Sequence, residues 1–148
     1  MLHSERPPVE LARYTGFLLG YLGERSRRRF FEMLKPHGFD PREFGLVTVV
    51  RNRPGLTQQE LASLARIDPS SMVAVLDGLE ERGVLERRMD PTDRRRRAVY
   101  LTEDGERTWK ALQREAHKTG EAFLDPLTPD ERATLNQLLR KLAGLDES

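Results

Sequence analysis

The sequence contains no cysteine, and this absence excludes disulfide bonds, thiolate metal ligands, cysteine nucleophiles and thiol-based redox sensing. Histidine is scarce as well: His3, His37 and His117 are far apart, and none belongs to a pair with metal-ligand spacing. Long hydrophobic runs are also missing, so we expect neither a signal peptide nor a membrane-spanning helix. These absences predict a soluble cytoplasmic protein without a metal or a cofactor.

The sequence also lacks the residue patterns that catalysis requires. Its 148 residues suit one domain, or one core with appended helices, and leave no room for a second catalytic domain. No nucleophile and base pair, phosphate-binding glycine loop or metal set can be recognised. We therefore do not expect an enzyme.

Charge is unevenly distributed along the chain, although the formal net charge is only +1. Seven arginines face only three acids between residues 82 and 97, whereas the last 46 residues carry ten acids and seven bases. A localised basic segment of this kind is typical of a surface that binds nucleic acid. A second arginine cluster, at Arg25 and 27–29, is better explained as the solvated or ion-paired surface of a helix.

Apolar periodicity and capping signals predict a mainly α-helical chain with one small β-hairpin. Several starts carry an N-cap residue followed by proline or by an acid at the third helical position, as at Asp40, Thr57 and Thr128. The predicted helices cover residues 9–34, 41–52, 57–65, 69–83, 103–124 and 129–142, and the predicted strands cover 84–88 and 98–101.

The helix predicted after Asp68 has two different faces. Met72, Val75, Leu76 and Leu79 fall on one narrow face, which we expect to be buried. The opposite side is narrow enough to enter the major groove, and its hydroxyl and methyl groups could contact phosphates, bases and thymine methyls. Taken alone, this pattern also suits a capped surface helix. The exposed side presents Ser70, Val73, Ala74 and Asp77, with Ser71 and Gly78 at its margins.

The hairpin loop carries four consecutive arginines on a short projection. Their like charges repel one another unless an anion is near, and only Asp90 and Asp93 are local. Duplex phosphates, or a narrow minor groove with its negative potential, would supply that anion. A solvated arginine turn remains an alternative. The four residues are Arg94, Arg95, Arg96 and Arg97.

The segment DPSSMVAVLDGLEERGVLERRMDPTDRRRRAVYLTEDG, from Asp68 to Gly105, resembles the recognition helix, wing and following helix start of the MarR family of bacterial winged-helix regulators. The D-x-R motif of the family wing matches Asp93 and Arg95. The L-T-x-x-G motif that follows matches Leu101, Thr102 and Gly105. The resemblance continues upstream through PGLTQQELA and, by helix order, covers nearly the whole chain.

This resemblance implies a winged helix-turn-helix over 40–103, flanked by dimerisation helices over 1–39 and 104–148. It further implies that the wing arginine, Arg95, enters the minor groove while Asp93 orients it. The chain departs from many relatives in carrying Val73, Ala74 and Gly78 where they have polar or basic residues, so base readout would depend more on methyl contacts and DNA shape.

Many relatives bind small aromatic acids or phenols between the dimerisation helices and the DNA-binding lobe. Here Tyr14, Phe17, Tyr21 and Trp109 could line such a crevice, although aromatic residues at helical spacing belong to a core more often than to a ligand site.

The sequence thus predicts a homodimeric DNA-binding repressor that reads a pseudo-palindromic operator on double-stranded DNA and is released by a small aromatic or phenolic effector. The alternative is a winged helix that contacts RNA or another protein. The predicted DNA contacts are Thr57, Gln58, Ser70, Ser71, Val73, Ala74 and the four wing arginines Arg94, Arg95, Arg96 and Arg97, with Asp93 as the orienting residue.

Overall fold

A computed structural model describes residues 6–145, which form six α-helices and a two-stranded antiparallel sheet. No helix in this range is long and apolar enough to cross a membrane. The predicted fold class, mainly α with a small β-hairpin, is confirmed. The elements are α1 Thr15–Leu34, α2 Pro41–Asn52, α3 Gln58–Ala65, α4 Pro69–Glu81, β1 Leu85–Met89, β2 Arg97–Leu101, α5 Glu103–Phe123 and α6 Pro129–Leu142.

Side-chain caps fix the beginnings of five of these helices. In each case an aspartate or threonine oxygen accepts a hydrogen bond from the backbone N–H three residues later, which satisfies a donor that the helix itself cannot pair. In α3 and α6 the glutamate at the third position also accepts from the N-cap N–H, completing a capping box. The caps are Asp40, Thr57, Asp68, Thr102 and Thr128.

The first helix is shorter than the sequence indicated. It begins at Thr15, six residues after the predicted start at Val9. The intervening residues make isolated turns, in which the Leu11 N–H bonds the Pro8 carbonyl and the Tyr14 N–H bonds the Leu11 carbonyl. Tyr14, the N-cap residue, makes no side-chain hydrogen bond to the helix. The apolar periodicity of the preceding residues was therefore a poor guide to where the helix begins.

One hydrophobic core holds α2, α3, α4 and the hairpin together. Met72, Leu76 and Leu79 of α4 are at most 1% exposed, and Val75 packs against them half-buried, so the predicted inner face is correct. Leu34 of α1 and Leu112 of α5 also belong to this core. The two long helices, α1 and α5, therefore pack directly against the unit formed by α2, α3, α4 and the hairpin.

The β-hairpin is a two-stranded antiparallel sheet that lies beside the segment preceding α3. Its strands pair from Leu85 opposite Leu101 to Met89 opposite Arg97. On its other edge, β2 also bonds the segment before α3: the Val99 N–H donates to the Leu56 carbonyl at 2.9 Å, and Thr57 forms a bridge with Ala98. This pairing fixes the base of the wing against the helix pair.

Gly105 explains why α5 can start so close to the hairpin. A Cβ atom at this position would lie 2.0 Å from the Val84 carbonyl oxygen, a distance that no side chain allows. The preceding Thr102 caps α5 and donates its hydroxyl to the Gly83 carbonyl at 2.5 Å. The L-T-x-x-G motif therefore describes a tight junction between wing and helix.

Candidate nucleic-acid interface

Helices α3 and α4 form the helix-turn-helix, and the outer side of α4 is open to solvent. Val73 is 39% exposed, and Ser70, Ala74 and Asp77 are exposed as well. Ser71 is half-buried. The residues that were expected to face DNA therefore share the free surface of α4, opposite the buried leucines.

The two serines in the first turn of α4 are already hydrogen-bonded to their own N-cap. The Ser70 hydroxyl donates to one Asp68 carboxylate oxygen at 2.6 Å and the Ser71 hydroxyl to the other at 2.5 Å. The pKa of Asp68 is held well below its usual range by these bonds to its charged form. The Ser70 hydroxyl contributes most, followed by the Ser71 hydroxyl and the Ser71 N–H. In this arrangement both serine hydroxyls donate to Asp68, and not to the phosphate or base that the sequence suggested.

The wing loop is organised by two aspartates. Asp90 accepts hydrogen bonds from the N–H and the hydroxyl of Thr92, and these bonds lower its pKa. Asp93 accepts from the Arg95 N–H at 3.0 Å and lies 3.7 Å from Arg96 Nε. The loop therefore has a defined shape, with both carboxylates turned towards its own backbone.

The four wing arginines remain on the outside of this loop. The Arg95 side chain is 91% exposed and that of Arg96 is 52% exposed, although both lie near Asp93. Arg94 and Arg97 are exposed too. Asp93 lies beside only two of the four guanidinium groups, so the tip of the wing loop keeps a net positive charge.

Thr57 and Gln58 are positioned differently from what the sequence suggested. Thr57 is 3% exposed and its hydroxyl oxygen accepts from the Glu60 N–H, so its side chain is a buried helix cap. The Gln58 carbonyl oxygen accepts a hydrogen bond from Arg87 at 2.9 Å. Both side chains hold the lobe together.

Arg87 is a residue of this surface that the sequence reasoning did not single out. Its guanidinium joins β1 to α3 through Gln58 and to α4 through Asp77 and Glu80. Burial would lower the pKa of Arg87, but the bonds and charges of the two acids outweigh it and raise the pKa above its ordinary value. The alternation of side chains along a strand puts Arg87 on the same face as the buried Leu85, and this pattern could have indicated that Arg87 contacts the helices.

The four aromatic residues considered for an effector lie in two groups. Phe17 and Tyr21 stack on α1 with ring centroids 6.2 Å apart, and Arg25 donates to the Tyr21 hydroxyl at 2.8 Å. Tyr14, just before α1, is half exposed and lies against Arg13.

Trp109 of α5 instead contacts α2. Its indole N–H donates to the Thr48 hydroxyl at 2.9 Å, and the Arg51 guanidinium lies 3.9 Å from the ring centroid. Arg51 also pairs with Glu106, mainly by hydrogen bonding, which lowers the pKa of that carboxyl. Trp109 thus sits at the junction between α5 and the DNA-binding lobe.

Residues 6–145 do not bring three or more potential histidine, cysteine, aspartate or glutamate metal ligands together. Of the histidines considered above, His3 lies outside the described residues.

Comparison with known proteins gives a consistent result. The MarR family profile matches residues 37–96. The putative transcriptional regulatory protein for the hcr operon of Thauera aromatica is 36% identical over 109 residues, covering 74% of this chain and 66% of that protein. The transcriptional regulator HosA of Escherichia coli is 31% identical over 100 residues, covering 68% of this chain and 74% of HosA.

A solved structure of the transcriptional repressor CouR bound to a 23-mer DNA duplex has a TM-score of 0.80 and 29% identity, covering 95% of this chain and 99% of that chain. Its likeness extends over the helix-turn-helix, the wing and the flanking helices together. The exposed face of α4 and the arginine wing therefore belong to a fold that is bound to DNA in the CouR structure. This chain belongs to the MarR family of DNA-binding transcriptional regulators.

Proposed function

We propose that this regulator is a homodimeric repressor that binds a pseudo-palindromic operator through α4 and the wing. The observation that carries the proposal is the combination on one lobe of an exposed, small-residue face on α4 and a loop with four exposed arginines. A helix with small side chains fits the major groove, and arginines suit the negative potential of a narrow minor groove. CouR, which resembles this chain over nearly its whole length, is described as a repressor.

In this proposal, the helix and the wing have different tasks. Val73 and Ala74 contact base edges and thymine methyls, and Ser70 and Ser71 accept hydrogen bonds from base amino groups or, after rotation, donate to phosphates. Arg95 enters the minor groove in the orientation that Asp93 gives it. The neighbouring Arg94, Arg96 and Arg97 neutralise phosphates.

Dimerisation is supported by the surface of α6. This 14-residue helix has a capping box and a leucine stripe, yet none of its residues is buried within the chain. Leu138, Leu139 and Leu142 are 59%, 40% and 71% exposed. An amphipathic helix is stable in water only if its apolar face is covered, and α1 offers a similar exposed set at Leu19, Leu22 and Phe31. A second copy would cover both faces under two-fold symmetry and place two lobes on one palindrome.

An effector would act at the boundary between the dimerisation helices and the lobe. Phe17 and Tyr21 on α1, with Tyr14 just before the helix, give an aromatic surface that has Arg13 and Arg25 beside it. Trp109 links α5 to α2, so a shift of α5 would be transmitted to the lobe. A small aromatic acid or phenol matches this mixture of rings and cations.

A repressor of this kind acts on the chromosome, so we expect the protein to work in the cytoplasm.

The test is selection of bound sequences from a random duplex pool by the purified chain, combined with hydrodynamic mass measurement. We expect a dimer and enrichment of a two-fold symmetric sequence. A chain that enriches no duplex, or that binds structured RNA more tightly than duplex DNA at equal salt, would contradict the proposal.

A further inference from the structure

Arg66, in the turn between α3 and α4, has a backbone conformation that favours glycine. Its φ of 53° and ψ of 42° lie in the left-handed region. In residues 6–145 the other positive φ values belong to glycines, at 38, 55, 83 and 144. A side chain in this conformation destabilises the fold relative to glycine, because its Cβ atom crowds the backbone.

The turn itself requires that conformation. The Arg66 N–H bonds the Ser63 carbonyl at 3.3 Å, and the Ile67 N–H bonds the Ala62 carbonyl at 3.0 Å, which ends α3 and directs the chain into α4. These are backbone contacts that glycine would make equally well. The arginine side chain is thus not needed for the turn.

Within residues 6–145 the side chain also makes no hydrogen bond or ion pair that would offset its conformational cost. Arg66 is exposed, and within the part of the chain described here its guanidinium has no ion pair or hydrogen bond. Arg87, by contrast, bonds three side chains on two helices. An exposed cation at a strained position, with no partner among the described residues, is available to an anion outside the chain.

The position of Arg66 indicates what that counter-charge is. Arg66 comes two residues before Asp68, the N-cap of α4, and therefore lies at the end of α4 that carries Ser70 and Ser71. In helix-turn-helix proteins this end reaches the base edges, while the preceding helix crosses the DNA backbone. With that docking geometry, the turn between the two helices would lie over the phosphates that border the major groove.

A cation at this end of α4 offsets the negative charge of Asp68. Helix N-termini attract phosphates through their free N–H groups, but the Asp68 carboxylate accepts a hydrogen bond from one of these N–H groups and adds a negative charge. The carboxylate therefore weakens the attraction of this end of α4 for a phosphate. A guanidinium two residues away offsets that charge and can bind a phosphate through two N–H groups.

We propose that Arg66 binds a backbone phosphodiester of duplex DNA at the border of the major groove. This inference rests on the proposed operator binding, because it takes α4 as the recognition helix. It adds a phosphate contact that is independent of the wing and of base sequence.

The test uses substitutions that the left-handed turn accepts. Arg66→Gly and Arg66→Asn remove the charge without straining the backbone, and Arg66→Lys keeps the charge. Arg27→Gln on α1, an exposed arginine that is not expected to contact DNA, controls for the overall loss of one charge. Binding is measured across a salt series on a random-sequence duplex and on a duplex enriched by the parent chain, with thermal unfolding in parallel.

We expect Arg66→Gly and Arg66→Asn to unfold at or above the parent temperature and yet to bind both duplexes on the order of tenfold more weakly. The slope of log affinity against log salt should fall by about 0.9, as for one lost phosphate contact. Arg66→Lys should keep the parent slope, and Arg27→Gln should bind like the parent.

Two results would overturn the inference: binding of the glycine and asparagine variants that equals the parent at every salt concentration, or a loss that Arg27→Gln shares. A loss restricted to particular base pairs would overturn it too, because it would show a base contact. If the parent enriches no sequence from the pool, the proposed operator binding fails, while the random duplex still tests Arg66.

Discussion

One Asp93 carboxylate oxygen accepts a hydrogen bond from the backbone N–H of Arg95 at 3.0 Å and lies 3.4 Å from the Nε atom of the same arginine. The aspartate thus holds both the backbone and the base of the side chain, while the Arg95 side chain stays 91% exposed. This arrangement fixes the guanidinium at its Nε end through a 3.4 Å ion pair and leaves the rest of the group exposed to solvent. It is the geometry expected of a wing residue that enters a groove.

Arg95→Ala should weaken operator binding by about 1–3 kcal/mol, because the minor groove would lose a cation that matches its potential. The salt dependence should become less steep, while base preference at the centre of each half-site is retained. Binding across a salt series measures both effects. Unchanged affinity at every salt concentration would show that the wing does not touch DNA.

Ala74→Arg should change which bases are preferred rather than the salt dependence alone. Ala74 is exposed on α4, so a longer side chain adds donors against base edges without entering the core. Binding to single-base variants of each half-site is the measurement, and thermal unfolding should match the parent. If every variant site keeps its parent ranking, α4 does not read the major groove at this position.

Asp68 should give a pH-dependent contribution to stability. Its pKa is lowered in the folded state by the bonds from Ser70 and Ser71, so its charged form stabilises the fold at neutral pH. This contribution is complete above about pH 4 and is lost as the pH falls through the lower folded-state value. The difference in unfolding temperature between the parent and Asp68→Asn should therefore shrink on acidification. A difference that stays constant down to about pH 3 would contradict the assignment.

Leu142→Glu combined with Leu138→Glu should convert the protein to monomers. Both leucines are exposed on α6, so a charge there does not disturb the core of one chain but disfavours the burial of α6 against a second copy. Operator affinity should fall together with the hydrodynamic mass, because the two half-sites are no longer bound by a single dimer. Asn136→Glu on the same helix is the matched control. A double variant that remains dimeric would exclude α6 from the interface.

An effector that releases the operator must bind the DNA complex more weakly than the free protein, because coupling between two ligands is reciprocal. Calorimetric titration with aromatic carboxylates and phenols, with and without operator, measures both affinities. Tyr21→Ala should weaken binding of an active compound. Equal affinity in the two titrations would rule out release by that compound.

The sequence by itself determined the local structure of this protein. The caps at Asp40, Thr57, Asp68 and Thr128 predicted helix starts to within a residue or two, because capping depends on a few adjacent atoms. The apolar spacing on α4 identified its buried face for the same reason: helical geometry alone places those side chains together. The start of α1 was wrong because no comparable local signal marks it.

The tertiary structure decided which polar groups are free. Thr57 and Gln58 looked available in the sequence, but β2 covers the first and Arg87 bonds the second. The serine hydroxyls turned towards Asp68, and Trp109 joined Thr48, a residue 61 positions away along the chain. Such pairings depend on which elements the fold brings together, and long-range contacts leave no periodic trace in a single sequence. The sequence therefore predicted the surface, and only the packing of the elements showed which of its side chains are buried or already hydrogen-bonded within the chain.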